Sequence, residues 1–239
     1  MLSIRNIIRE RFRNSPMIHA VLFDLDDTLY PEWQFYESGF ATVATELARR
    51  GVGDEALLRK RMEFLHHHQG RGGVFDHLAQ EFHFPPEWVP AFVRLFHEHR
   101  PRVHLPNESV ATLKELRPHY RLGIITDGHA AVQRRKIRAL DVESLVDAVV
   151  VTDDRGRAYW KPHPQPVLDC CALLNVNPRD AVLVGDNPER DVLAAQSAGV
   201  AGIRLRQGHF HNCDTPPGLQ CFCEIQSLGD LPTVLKNIA

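Results

Sequence analysis

No apolar run in the sequence approaches the roughly 20 residues that a membrane-spanning helix needs. The longest are short pieces such as AVLF, LGIIT, DAVVV and AVLVG. Strong charge of one sign is also missing: the formal net charge is −2 over 239 residues. No global field therefore draws this chain to nucleic acid or to an acidic membrane surface. The opening stretch MLSIRNIIRERFRNSP lacks the continuous apolar segment of a secretory signal. Its arginines would suit an organelle transit peptide, but Glu10 is foreign to such segments. Ile4, Ile7 and Ile8 share one helical face, so residues 1–16 are read as a helical extension. The five cysteines (Cys170, Cys171, Cys213, Cys221 and Cys223) are odd in number and unevenly placed. They form no disulfide framework, and a reducing, cytoplasmic setting is expected. Internal repeats and low-complexity tracts are absent. Nothing in the sequence indicates an oligomer.

What is present is ordinary globular material, 44% apolar and 24% charged, and enough chain for one sizeable domain or a domain with an insertion. Short runs rich in Val and Ile end in polar residues: IHAVLF before Asp24, RLGIIT before Asp127, DAVVVT before Asp153, AVLVG before Asp186, and GVAGIRL near Leu205. They lack period-2 alternation and read as strands buried on both faces. Helical patterns lie between the later runs, at His129–Leu140, Pro164–Leu174 and Pro188–Ala198. The expected fold is α/β, a doubly wound parallel sheet. Between Tyr30 and about Leu105 only helical segments occur, which reads as an insertion after the first strand. The expected division is a helical cap over residues 31–104, with a core from 17–30 and 105–239.

The chemistry gathers at strand ends. FDLDDTLY places Asp24, Asp26 and Asp27 within four positions, a crowding that demands a cation or proton traffic nearby. Thr126 and Asp127 end the second strand, Asp186 ends the fourth with Asp191 following, and Lys161 stands in YWKPHP. In open α/β sheets ligands bind beyond the carboxyl ends of the strands, so these groups should converge. Carboxylates from separate strands suit a hard divalent cation with oxygen ligands, Mg²⁺ first among them. A hydroxyl and a lysine beside it would neutralise a phosphoryl group in transfer. One carboxylate can act as nucleophile and a second as general acid and base.

These motifs, in this order, resemble those of the haloacid dehalogenase superfamily: FDLDDTLY its nucleophile motif, IITDG its second, the lysine of WKPHP its third and VGDNPERD its fourth. The resemblance runs from about Ile18 to Leu205. It implies a core sheet of order 5-4-1-2-3 and a helical cap that closes over the site. It further implies Asp24 as nucleophile and metal ligand, and Asp26 as general acid/base with its backbone carbonyl on Mg²⁺. Asp186 would complete the metal shell, and Asp191 would orient the lysine or a metal-bound water. Thr126 and Lys161 would hold phosphoryl oxygens, Leu25 and Asp27 would offer backbone N–H groups, and Thr28 would support the loop. Asp127 is counted with the substrate-binding residues, although a structural turn role is the alternative. Arg71 in GRGGVFD is a candidate substrate contact from the cap, or else sits in a plain connector. The superfamily's dehalogenases lack the second aspartate, because halide leaves carbon without a proton. Asp26 therefore fits phosphoester chemistry.

The expected function is a Mg²⁺-dependent phosphatase acting on a small phosphomonoester, a sugar phosphate or a nucleotide. The alternatives are a phosphomutase built on the same core and, from another class, a phospho-acceptor signalling module. Receiver modules are about half this length and lack the helical insertion. Two other groups have metal-binding residue types. His66, His67 and His68 are consecutive and so do not share a helix face. The set His209, His211, Cys213, Cys221 and Cys223 fits no zinc spacing, and an irregular tail with partly buried cysteines is expected there.

Overall fold

The computed structural model describes residues 17–70 and 72–237. The chain divides into two compact units, one of Trp33–Val103 and the other formed by the chain before and after it. The first 16 residues, read above as a helix, lie outside the described residues. No helix among the described residues is long and apolar enough to cross a membrane.

The larger unit holds one sheet of six strands: β1 (Ala20–Phe23), β2 (Arg121–Thr126), β3 (Ala148–Val151), β4 (Ala181–Gly185), β5 (Ala201–Leu205) and β6 (Cys223–Ile225). All neighbours are parallel, in the order β3-β2-β1-β4-β5-β6. This is the expected 5-4-1-2-3 order with one strand added beyond β5. The stretch from His209 to Cys223, expected to be irregular, thus leads into a short edge strand. β1 is central, and Phe23 lies level with Ile124 of β2 and Val184 of β4. Its four residues are all buried, as a strand covered on both faces requires.

The helices of this unit are α5 (Asn107–Leu116), α6 (Ala130–Leu140), α7 (Gln165–Leu174), α8 (Leu193–Ala198) and α9 (Leu231–Lys236), numbered after four in the other unit. On one sheet face, Ala20, Leu22, Ile125 and Leu183 pack with Val167, Cys170 and Leu174 of α7 and Ala194 and Ala195 of α8. Each Leu, Ile or Val among them contributes about 1.5–3 kcal/mol when fully buried. Gly123 of β2 permits this closeness, since a Cβ there would meet Cys170 Sγ at 2.5 Å.

The second unit is made of α1 (Trp33–Arg49), α2 (Glu55–Gln69), α3 (Val74–Phe82) and α4 (Val89–Glu98). In α1 the buried Phe35, Phe40, Val43, Ala44 and Leu47 recur at helical spacing and form its inner face. Phe40 meets Phe96 of α4 with ring centroids 5.4 Å apart, and Phe75 of α3 closes the cluster. Asp54 caps α2 by accepting Leu57 N–H at 2.9 Å. His66 and His67 pack on Trp33, and His68 stacks on Phe64.

Candidate active site

β1 delivers Asp24 to the carboxyl end of the sheet, flanked by the ends of β2 and β4. The loop that follows turns sharply, with Asp27 at φ 56° and Leu29 N–H returning to Leu25 O at 3.0 Å. The Asp27 N–H, expected to face a phosphoryl group, is taken by Tyr30 O at 2.9 Å. The Asp27 carboxylate accepts Glu32 N–H at 2.9 Å and His209 N–H at 3.3 Å. Gln207, just past β5, donates to the carbonyls of Asp27 and Thr28 at 2.9 and 2.8 Å. The segment after β5 therefore braces the nucleophile loop.

Lys161 is the hub of the site. Its Nζ lies 2.5 Å from Asp24 Oδ1, 2.7 Å from Asp191 Oδ1 and 3.2 Å from Ile125 O. Thr28 Oγ1 donates to Asp24 Oδ2 at 3.1 Å. Asp191 sits in a π-helical turn over Pro188–Val192, a distortion common at functional sites. Asn187 caps that turn with its side chain, and its own N–H donates to Asp191 Oδ2 at 3.0 Å. Asp24, Asp186 and Asp191 offer carboxylate oxygens that lie within 4.8 Å of one another, all three residues buried. Among the described residues this is the one such cluster of His, Cys, Asp or Glu, and the tail set His209, His211, Cys213, Cys221 and Cys223 does not form another.

The electrostatics follow from burial. Asp24 is pushed up to about 8 by burial, against the pull of Lys161, with Asp191 and Asp26 adding repulsion. Asp186 is pushed up to about 9 by burial and by Asp24, Asp191 and Asp27. One lysine cannot neutralise three buried carboxylates. The donor set is all oxygen and short of positive charge, which fits a hard divalent cation.

Asp26 faces a different environment. Tyr30 Oη donates to its Oδ1 at 2.6 Å, Gln133 Nε2 to its Oδ2 at 3.1 Å, and Lys136 Nζ to both oxygens at 2.8 and 2.9 Å. Lys136 also meets Glu32 Oε1 at 3.1 Å. Burial pulls its pKa down, but Asp26 and Glu32 outweigh burial and the net shift is upward, so Lys136 stays cationic. Thr126, fully buried, donates to Gln133 Oε1 at 3.1 Å. Asp127 Oδ1 accepts Thr152 Oγ1 at 2.8 Å and Lys161 N–H at 3.1 Å, which ties the lysine's loop to the end of β2. Asp153, after β3, accepts the Ala130 N–H of α6 at 2.9 Å and Trp160 Nε1 at 3.1 Å. Arg71 lies outside the described residues.

The strand ends thus bring Asp24, Asp186, Asp191 and Lys161 into one cluster, and Asp26 and Thr126 into a second joined through Gln133. Sequence reading missed Gln133, Lys136, Tyr30, Glu32 and Gln207. Gln133 and Lys136 carried one readable signal, two polar side chains spaced i, i+3 on the buried face of α6.

A sequence profile described as "haloacid dehalogenase-like hydrolase" matches residues 21–204. The chain is 41% identical to the human protein named N-acylneuraminate-9-phosphatase, across 92% of this chain and 95% of that one. It is 30% identical to the Pyrococcus abyssi protein named glyceraldehyde 3-phosphate phosphatase, also across 92% and 95%. The crystal structure of a phosphatase of this family from Thermococcus onnurineus superposes with a TM-score of 0.60 at 25% identity, covering 92% of this chain and 99% of that one.

Proposed function

The chain belongs to the haloacid dehalogenase-like hydrolases, and from that premise we propose that it is a Mg²⁺-dependent phosphatase working through an aspartyl-phosphate on Asp24. The observation that carries this reading is the buried set of Asp24, Asp186 and Asp191 around Lys161, with a fourth carboxylate, Asp26, held separately. In the first step an Asp24 oxygen bonds to phosphorus, the ester P–O bond breaks, and Asp26 gives its proton to the leaving oxygen. In the second step water attacks phosphorus, Asp26 takes the water's proton, and Asp24 is released with inorganic phosphate. Lys161 holds phosphoryl oxygens, joined by Thr126 as its one hydroxyl proton turns from Gln133 to the bound phosphate, and Asp191 orients Lys161. Asp24 and Asp186 through their carboxylates, and Asp26 through its backbone carbonyl, would hold Mg²⁺. When bound, the ion supplies charge neutralisation for the phosphoryl oxygens.

The substrate is a small phosphorylated metabolite. The names of the relatives, glyceraldehyde 3-phosphate phosphatase and N-acylneuraminate-9-phosphatase, support a phosphate on the terminal carbon of a sugar or sugar acid. Free thiols at all five cysteines support a reducing, cytoplasmic setting. The test is phosphate release from a panel containing glyceraldehyde 3-phosphate, N-acetylneuraminate 9-phosphate, hexose 6-phosphates and nucleoside 5′-monophosphates. Turnover should require Mg²⁺, stop with EDTA and return on adding Mg²⁺ back. Full activity in excess chelator, or no phosphate release from any ester, would overturn the reading.

A further inference from the structure

Helix α6 turns Gln133 and Lys136 inward, leaving them 3% and 2% exposed. Taking an ammonium group out of water is costly unless partners compensate, so a lysine this deep needs a reason. Its partners are specific. Nζ is equidistant, within 0.1 Å, from the two oxygens of Asp26 (2.8 and 2.9 Å), while Glu32 Oε1 lies at 3.1 Å. A cation across both oxygens fixes where the carboxylate sits, and bonds to each oxygen from further donors fix its plane. Gln133 adds a third point by donating to Asp26 Oδ2 and accepting from Thr126 Oγ1. Tyr30 Oη adds a fourth at Asp26 Oδ1. Both oxygens of Asp26 are thus engaged by donors outside the Asp24–Lys161 cluster.

We propose that Lys136 is a positioning residue for Asp26, setting the direction from which its carboxylate exchanges a proton, with Gln133 tying that direction to Thr126. Lys136 Nζ bonds both Asp26 oxygens and Glu32, so it acts on the reaction through Asp26. This inference rests on Asp26 being the general acid and base. It goes further in assigning the control of that residue to a helix that carries none of the four motifs. Glu32 gives the ammonium a second anchor, which holds Nζ in place as the carboxylate of Asp26 gains and loses its proton.

The experiment compares Lys136→Met, Lys136→Arg, Asp26→Asn and the Asp26→Asn/Lys136→Met pair in the full-length protein. Two esters are used: the alkyl phosphate hydrolysed fastest in the panel above, and p-nitrophenyl phosphate, whose leaving oxygen needs little protonation. General acid–base help contributes ~10²–10⁴-fold, so Lys136→Met should lower kcat on the alkyl ester by ~10–10²-fold, as a positioning residue loses part of that factor. The loss on p-nitrophenyl phosphate should be several-fold smaller, with KM little changed. Lys136→Arg should recover part of the rate, and Lys136→Met should add nothing in the Asp26→Asn background. Removing the lysine alone leaves Asp26 and Glu32 without their shared cation. The same series is therefore run with Glu32→Gln/Lys136→Met, which removes that repulsion if the single variant fails to fold. Equal losses on both esters, or losses that multiply with Asp26→Asn, would overturn the proposal while leaving the role of Asp26 intact. Equal losses in Asp26→Asn itself would overturn the acid/base reading and this inference together.

Discussion

Asp24 and Asp26 stand two residues apart and carry the same functional group, yet their surroundings separate them. Asp24 is paired with Lys161 and crowded by Asp186 and Asp191, whereas Asp26 is held by Lys136, Gln133 and Tyr30. The division depends on a glycine as much as on charges. A Cβ on Gly185 would lie 2.3 Å from Asp191 Cγ, and Asp191 is the second anchor of Lys161. Gly185→Ala must therefore move Asp191 or bend the end of β4. Overpacking of this kind costs ~1–3 kcal/mol, and the expected result is a lower denaturation midpoint together with a fall in kcat. Unfolding curves and steady-state kinetics on the same preparation would check it. Wild-type values for both would mean that Asp191 does not need its present place.

The elements show which parts of this arrangement a sequence reveals. Strands β1, β2 and β4 are runs of Val, Ile and Leu ending in an acid or hydroxyl, and burial on both faces makes such runs conspicuous. Their polar ends, Asp24, Thr126 and Asp186, are legible for the same reason. β6 is only three residues long and sits at an edge, with no apolar run to mark it. Beside its ladder with β5, it is held by the fully buried Arg204, which donates to Glu224 Oε1 at 3.3 Å and ties in the preceding loop through Thr215 Oγ1 at 2.8 Å and the carbonyls of Phe210 and Cys213. A lone arginine inside GVAGIRL was the only trace of that contact. Gln207 escaped notice because its partners, Asp27 and Thr28, are about 180 positions away, and their carbonyls carry no residue-type signature. Lys136 escaped for a related reason: a lysine on a helix normally reads as solvated. Only the fold, which brings Lys136 of α6 to the loop after β1, shows that it points at Asp26. Motif residues at strand ends can be read singly, but residues defined by a partner's backbone cannot.

At the scale of the whole molecule, the buried carboxylates couple stability to pH and to metal. Asp24 and Asp186, held at about 8 and about 9, sit far above the ordinary carboxylate range, with burial as the main cause. Between the ordinary range and those values the folded protein binds more protons than the unfolded chain. The stability tied to these protons is therefore full below the ordinary carboxylate range, falls progressively as pH rises, and is wholly lost above about 8 and 9. Mg²⁺ should relieve the repulsion, and its stabilising effect should grow with pH because it then competes with fewer protons. Thermal midpoints with and without Mg²⁺ at about pH 5 and about pH 8 would show a larger shift at the higher pH. An equal shift at both would argue against a metal bound by these groups. The central claim, that Asp24 is the nucleophile and Asp26 moves the proton, is tested most directly by trapping the covalent intermediate. Asp26→Asn mixed with p-nitrophenyl phosphate and quenched in acid should gain the mass of one phosphoryl group, mapped by peptide digestion to Asp24. The Asp24→Asn protein should gain none. A phosphoryl group on another residue, or one on Asp24→Asn as readily as on the parent, would contradict it.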